Sequence, residues 1–373
     1  MATIIAAGTF DREFGRNRRL LALLERAGHE VVLCQTDLFA TVKYDIVQQR
    51  KLRMLVRGLT AYPRLAWRFM RLPRADAVLV MYPGWFDMIV VGMLARLRRL
   101  PVIFDIYISL YDTVVSDRHL ASARSLLGRA SKLVDWLSIR SARRLLADTP
   151  AHAEFYAQLV HMPRDRIGVV WVGAEDDVFR PQPDIAAEPR RVLFYGTFIK
   201  LHGLDVIVRA AKLLEPDGVE FRIIGSGQEQ AHIEALIEEL QPANVAMQAR
   251  VPLAELPREI ASAQLCCGIF GTSEKAGRVV PNKVFECIAV GRPVVTADTP
   301  GIRSAFADDE IALAPAGDAE ALAQTIRKLL GDPAELERMA QAARRHYLDE
   351  YATDTITRLL DAEVRAALAM PPR

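Results

Sequence analysis

The strongest constraint on this chain is an alternation that occurs twice. Thr3–Ala7 is a short apolar run, and Arg18–Ala27 follows with leucines at helical spacing. Gly28-His29 then ends that segment, and Val31–Cys34 is apolar again. Strand, helix, strand in this order favours a parallel sheet, because parallel neighbours need a long crossover between them. The same order returns after residue 190. Arg191–Tyr195 reads as a strand, Leu204–Leu214 as a helix, Glu220–Ile224 as a strand and Gln228–Leu240 as a helix, with Leu265–Phe270 and Pro293–Thr296 as further buried strands. Between the two series, Arg180–Pro189 carries Pro181, Pro183 and Pro189 and few large apolar groups, the composition of a linker. At 373 residues the chain is long enough for two separate cores. The expected fold class is α/β with two Rossmann-like domains, residues 1–182 and 183–350, followed by a terminal helical segment, 351–373.

In open parallel sheets ligands bind beyond the carboxyl ends of the strands, so the strand-end loops hold the candidate site residues. In the first half these are Gly15, Arg16 and Asn17, at the end of the polar stretch Gly8–Asn17, with Asp105 and Tyr107 after Val102–Phe104. In the second half, Gly196-Thr197 leads through Lys200 and His202 to Gly203 and a helix start, where free amides and basic side chains suit phosphate. Gly225-Ser226-Gly227 is a second tight turn, and Val251 lies in a third strand-end segment, Arg250–Pro252.

The stretch Arg278–Val295 carries the densest chemistry. Pro281 suits a first helical turn, Asn282 is a capping residue type, and Gly291 with Pro293 ends the helix ahead of Val294-Val295. Asn282 and Lys283 stand four and three residues before Glu286, so the three share one helical face. A cation for a diphosphate and a carboxylate for sugar hydroxyls, one turn apart, describe a nucleotide-sugar site. The plainer alternative is a capped amphipathic helix with Glu286 solvated.

This stretch resembles the donor segment of the family 4 glycosyltransferases, a large retaining group with the GT-B fold. Glu286 matches the family carboxylate that binds the donor ribose, and Gly291–Val295 matches its Gly-x-Pro-Val-Val strand. The family commonly has a first glutamate eight residues earlier, where this chain has Arg278. At the Gly196–Gly203 loop, Thr197 takes the position of a family arginine and His202 that of a family lysine. Arg278 and Lys283 are therefore the expected substitutes on the leaving diphosphate. Gly225-Ser226 matches the turn beneath the nucleotide, Val251 the segment near the base, and Asp105 the neighbourhood of a histidine that contacts the donor sugar. The resemblance implies two domains facing a cleft, with the acceptor on the first, the donor on the second and the last helix returning to the first. It also implies metal-independent transfer with retention, a nucleoside diphosphate sugar as substrate and no cofactor.

Composition narrows the classes further. A net charge of +2 gives no reason to expect nucleic acid, and no G-x-G-x-x-G follows the first strand, which disfavours a dehydrogenase. Cys34, Cys266, Cys267 and Cys287 lack metal-ligand spacing and read as a reduced, cytoplasmic pattern. Lys51–Leu72 reads as an amphipathic helix kinked or divided at Pro63. Its arginine stripe, Arg57, Arg64, Arg68 and Arg71, suits either an anionic membrane surface or ordinary solvent. The expected activity is transfer of a sugar to a hydroxyl of a glycan or lipid-linked acceptor in cell-surface glycan synthesis, by a cytoplasmic protein peripheral to the membrane. A nucleotide-sugar 2-epimerase and a non-catalytic partner subunit of the same fold are the competing readings.

Overall fold

The computed structural model describes residues 1–36, 51–117 and 120–370, without the side chains of 51–59 and 116–117. It forms two compact units, Met1–Trp171 with Ile356–Arg373, and Val172–Thr355. Each is a parallel sheet of six strands.

In the first unit β1 (Thr3–Gly8), α1 (Gly15–Arg26), β2 (Glu30–Gln35), α2 (Lys51–Arg71), β3 (Ala77–Val80) and α3 (Trp85–Leu97) lead to β4 (Val102–Asp105). Then come α4 (Leu126–Ser141), β5 (Arg144–Ala147), α5 (Pro150–Val160) and β6 (Ile167–Val169), in sheet order β2-β1-β3-β4-β5-β6. Successive strand residues face opposite sides, and the core divides accordingly. Ile5, Val78 and Phe104 pack beneath Leu65 and Phe69 of α2, Met88 and Val91 of α3, Ile139 of α4 and Tyr156 of α5. Ile4, Leu79 and Ile103 pack on the other face against Leu20 and Leu24 of α1. The terminal helix α13 (Thr353–Ala369) shares that layer through Ile356, Leu360 and Val364.

The second unit runs β7 (Arg191–Thr197), α6 (Leu204–Leu213), β8 (Glu220–Ser226), α7 (Gln230–Leu240), β9 (Val245–Gln248), α8 (Leu256–Ser262), β10 (Leu265–Cys267) and α9 (Asn282–Val290). It closes with β11 (Val294–Ala297), α10 (Pro300–Arg303), β12 (Ala312–Ala314), α11 (Ala319–Leu330) and α12 (Pro333–His346). The strand order is β12-β11-β10-β7-β8-β9, so the winding reverses between β7 and β10. That switch point is where an open sheet leaves room for a ligand. Phe194, Phe221 and Val295 fill one face with Ile207, Ile233 and Ile326 of the covering helices.

Three local expectations change. Pro63 lies inside α2 rather than dividing it, and Leu65 and Phe69 beyond it are fully buried; that burial outweighs the hydrogen bond a proline removes. Arg57 of the stripe lies outside the described side chains. Gly15, Arg16 and Asn17 form the first turn of α1 rather than a loop, after Phe14, whose ring packs on Tyr82 at 4.8 Å. Asn282 is the first residue within α9 and not its cap. Pro281 holds the cap position, and no side chain accepts from the helix start.

Leu360 is fully buried against α1 and the first sheet. Leu360→Ala should therefore destabilise the protein by about 2–5 kcal/mol, measured by urea unfolding; a loss below about 0.5 kcal/mol, the range of ordinary surface changes, would mean that α13 is not part of this core.

Candidate functional site

The glycines at the ends of β7 and β8 are required by backbone geometry. Gly196 (φ 143°) pairs with Gly225 (φ 150°), and a Cβ on Gly225 would stand 1.9 Å from the Gly196 carbonyl oxygen. A Cβ on Gly227 would meet the Phe198 backbone at 2.5 Å. With no side chains possible at these turns, the backbone above the strands stays open. A short turn, Lys200–His202, then carries the chain to Gly203 and the start of α6.

Lys283 and His202 converge on Gly196. A Cβ on Gly196 would lie 3.1 Å from Lys283 Nζ and 3.5 Å from His202 Cε1. Lys283 is buried, its ammonium 3.9 Å from the centre of the Phe194 ring. Neither Lys283 Nζ nor His202 Nδ1 has a hydrogen-bond partner. Burial drives the Lys283 pKa down to about 7, against the pull of Cys287 and Glu286. Burial, then the Lys283 charge, holds His202 well below its ordinary value, so the imidazole is neutral. A buried ammonium without an acceptor is unfavourable, and an anion above Gly196 would relieve it.

On the same helix, Glu286 accepts a hydrogen bond from the Tyr195 hydroxyl at 2.6 Å. Burial raises the Tyr195 pKa, and Cys287 and Glu286 raise it further, so the phenol keeps its proton. The half-buried carboxylate thus meets a hydroxyl within the protein. Sequence spacing gives no sign of Tyr195; its signal is only that it precedes Gly196 on a strand lying under α9.

In the segment Arg250–Pro252, where the sequence points to Val251, it is Arg250 that makes the side-chain contacts. Its guanidinium donates to Thr197 Oγ1 at 3.2 Å and to the Ser226 carbonyl at 3.3 Å. Arg278 pairs with Glu274 at 3.6 Å. Lys200 is exposed, while Val251, Ser226 and Asn282 are half-buried. Among the described residues no cluster of His, Cys, Asp or Glu has the grouping of a metal site.

In the first unit Asp105 has no exposed surface, and both of its oxygens are engaged by Arg16, the shortest contact being 2.8 Å. Burial raises the Asp105 pKa and the Arg16 charge opposes the rise. Asp105, expected in the neighbourhood of the family histidine that contacts the donor sugar, is here the arginine's counter-ion. Arg16 also donates to the carbonyl of Val170 at 2.8 Å. Asn17 donates to the carbonyls of Asp11 and Tyr82, tying α1 to the end of β3. Tyr107 meets Phe14 and Tyr82 edge-on at 5.9 and 6.0 Å, and Gly15 is exposed beside them. Close by, His152 lies 2.6 Å from Asp148. Burial favours the neutral Asp148, but the His152 and Arg16 charges outweigh it and hold its pKa low.

The family description "Glycosyl transferases group 1" matches residues 175–346, and "Glycosyl transferase 4-like domain" matches residues 16–173. The chain belongs to the family 4 glycosyltransferases. Among relatives of the chain, a D-inositol 3-phosphate glycosyltransferase of Thermobispora bispora is 30% identical over 55% of this chain and 52% of its own length. The amylovoran biosynthesis glycosyltransferase AmsK of Erwinia amylovora is 28% identical over 56% of this chain and 52% of its own. The alignment thus spans about half the length of these relatives. Anabaena HepE, solved in complex with UDP, superposes with a TM-score of 0.74 at 15% identity, covering 98% of this chain and 100% of that one. Sucrose-phosphate synthase from Thermosynechococcus elongatus gives 0.76 at 16% identity, covering 98% of each. These likenesses show the GT-B fold.

The Lys283 charge has a measurable effect on stability. Its folded pKa, about 7, lies below the ordinary 10.5. The folded state therefore binds fewer protons than the unfolded one across that window, and stability rises with pH from 7 towards 10.5. Lys283→Met should stabilise the unliganded protein by about 1–3 kcal/mol at or below neutral pH, with the gain shrinking as pH rises. Thermal melting across pH checks this, and a lower melting temperature for the variant at pH 6.5 would contradict it.

Proposed function

We propose that this protein transfers a sugar, with retention of configuration, from a nucleoside diphosphate sugar to a hydroxyl of a glycan or lipid-linked acceptor. The second unit is the donor unit and the first the acceptor unit. The observation that carries the reading is the buried Lys283 ammonium, which lacks an acceptor and points at Gly196 beside a neutral His202. An anion is the missing partner, and a diphosphate fits the open backbone at the switch point. The uridine nucleotide is the favoured donor class, since HepE was solved with UDP and with UDP-glucose. AmsK supports a polysaccharide intermediate as acceptor.

As the bond from sugar to diphosphate lengthens, negative charge grows on the leaving phosphate. Lys283 sits where it stabilises that charge, and His202 donates a neutral hydrogen bond to it. Arg250, held over Thr197, supplies the cation that position 197 lacks. Glu286, braced by Tyr195, is the carboxylate that would meet the donor's hydroxyls. The leaving phosphate takes the acceptor proton, so no separate base is needed. Arg16 and Tyr107 shape the acceptor side, with Asp105 positioning Arg16.

Donor-sugar release or transfer from UDP-linked and GDP-linked sugars, followed by NMR, tests the reading: a product with the donor's anomeric configuration is expected. Epimer formation would assign an isomerase, and no turnover with any donor would leave a non-catalytic relative. In the same assay Arg250→Ala should lower kcat/KM by about tenfold to a hundredfold, with a smaller loss for Arg278→Ala. The reverse ranking would return the compensating charge to Arg278.

Binding should also carry a proton signature. At pH 8 Lys283, with a pKa of about 7, is mostly neutral, and a bound diphosphate restores its charge. UDP binding should then take up about one proton per site, and affinity should fall by up to about tenfold per pH unit above 7. Calorimetry in two buffers of different ionisation enthalpy measures the uptake; identical heats in both would rule Lys283 out as the diphosphate ligand.

A further inference from the structure

The helices α2, α3 and α4 are neighbours in one layer over the first sheet. The outward face of this layer is apolar where a soluble surface is ordinarily mixed. On α3, Phe86, Ile89, Met93 and Leu97 recur at helical spacing and are 47%, 39%, 61% and 72% exposed. On α4 one stripe runs Leu126, Arg129, Leu133, Trp136, Leu137, Arg140, with Trp136 and Leu133 exposed and Arg140 5.3 Å from the Trp136 ring. On α2, Trp67 and Met70 are exposed, and Arg71 lies 4.0 Å from the Trp67 ring.

The charges on this layer have one sign. Among the described residues of α2, α3 and α4 the only carboxylates are Asp87 and Asp135. Both are buried and engaged inward, Asp87 by Thr9 and Asp135 by Ser109 and the Leu110 and Tyr111 amides. Among the described side chains the exposed charges are Arg64, Arg68, Arg71, Arg96, Arg129, Lys132 and Arg140. Large apolar groups, two tryptophans and cations without a balancing acid are what the interface of an anionic bilayer accommodates: the apolar side chains enter the acyl boundary and the cations remain among the phosphates. A second copy of the chain suits the face poorly. A two-fold contact would set this patch against itself, cation against cation, with no acid between them.

We propose that the α2–α3–α4 face is a docking surface for an anionic membrane, with α3 at its centre. Among the described residues no helix is long and apolar enough to cross a membrane, and the face works by lying on the bilayer. The proposal is independent of the transfer reaction, because lipid binding requires no donor.

The test is co-sedimentation of the full chain with vesicles of phosphatidylglycerol mixed with phosphatidylcholine, and with vesicles of phosphatidylcholine alone. Wild type should pellet with the anionic vesicles, less so at high salt, and stay largely in solution with the neutral ones. The double variant Met93→Glu, Leu97→Glu changes two highly exposed positions and leaves the core intact; circular dichroism confirms its fold. It should bind at least about tenfold more weakly, with donor turnover in free solution unchanged. The control Leu213→Glu, exposed on the other unit, should bind as wild type does. Wild type that ignores anionic vesicles at low salt, or a double variant that pellets as wild type does, overturns the proposal. So does a wild-type dimer that the double variant breaks while neither protein binds lipid.

Discussion

The ammonium of Lys283, buried against Phe194 without an acceptor, sets the terms for everything around it in the second unit. Gly196, whose φ of 143° disfavours a side chain, leaves the space beside the nitrogen open, where a Cβ would stand 3.1 Å away. The ammonium accounts for the neutral His202, because a second cation at that range would add repulsion to the cost of burial. It also gives Glu286 a function at a distance: the carboxylate pulls the Lys283 pKa back up while Tyr195 holds it in place. The three elements that meet there, β7, the turn at Lys200–His202 and α9, are adjacent because the winding reverses between β7 and β10. The fold therefore supplies the gap, and the lysine gives it a sign.

The first unit handles buried charge in the opposite way. Arg16 and Asp105 neutralise each other at 2.8 Å, and Asp148 lies 2.6 Å from the His152 ring. Paired charges of this kind hold strand ends and helix starts in register but leave no demand for an outside ion. In the transfer proposed above, the chemistry that develops charge falls to the unpaired lysine and shape to the paired network. The ring contacts of Phe14, Tyr82 and Tyr107 extend the same network.

How much of this is legible in the sequence follows from the range of the interactions. The parallel sheets are written in alternating apolar runs, and the face shared by Lys283 and Glu286 follows from helical spacing within four residues. Gly196 and Gly225 are visible as letters, but their facing pair depends on strand register. Tyr195 with Glu286 and Arg250 with Thr197 are separated by 91 and 53 residues, and no local pattern encodes such pairs. Asp105 was legible as a strand-end carboxylate, yet its partner 89 residues away decides its role. Pro63 shows the same rule in another form, since a local helix breaker yields to the burial of Leu65 and Phe69.

An unpaired buried charge also changes what ligand binding does to the protein. A group that destabilises the free state is relieved when its counter-ion arrives, so ligand affinity and local stability draw on one source. With the proposed diphosphate bound, the strand ends of the second unit would therefore be held more firmly than without it. In the first unit the buried Asp87 and Asp135 are engaged by hydroxyls and amides of the protein itself, so neither waits for a partner from solution. Coupling of this kind needs no hinge or change in topology. It follows from placing one lysine where water does not reach it and leaving its partner to come from solution.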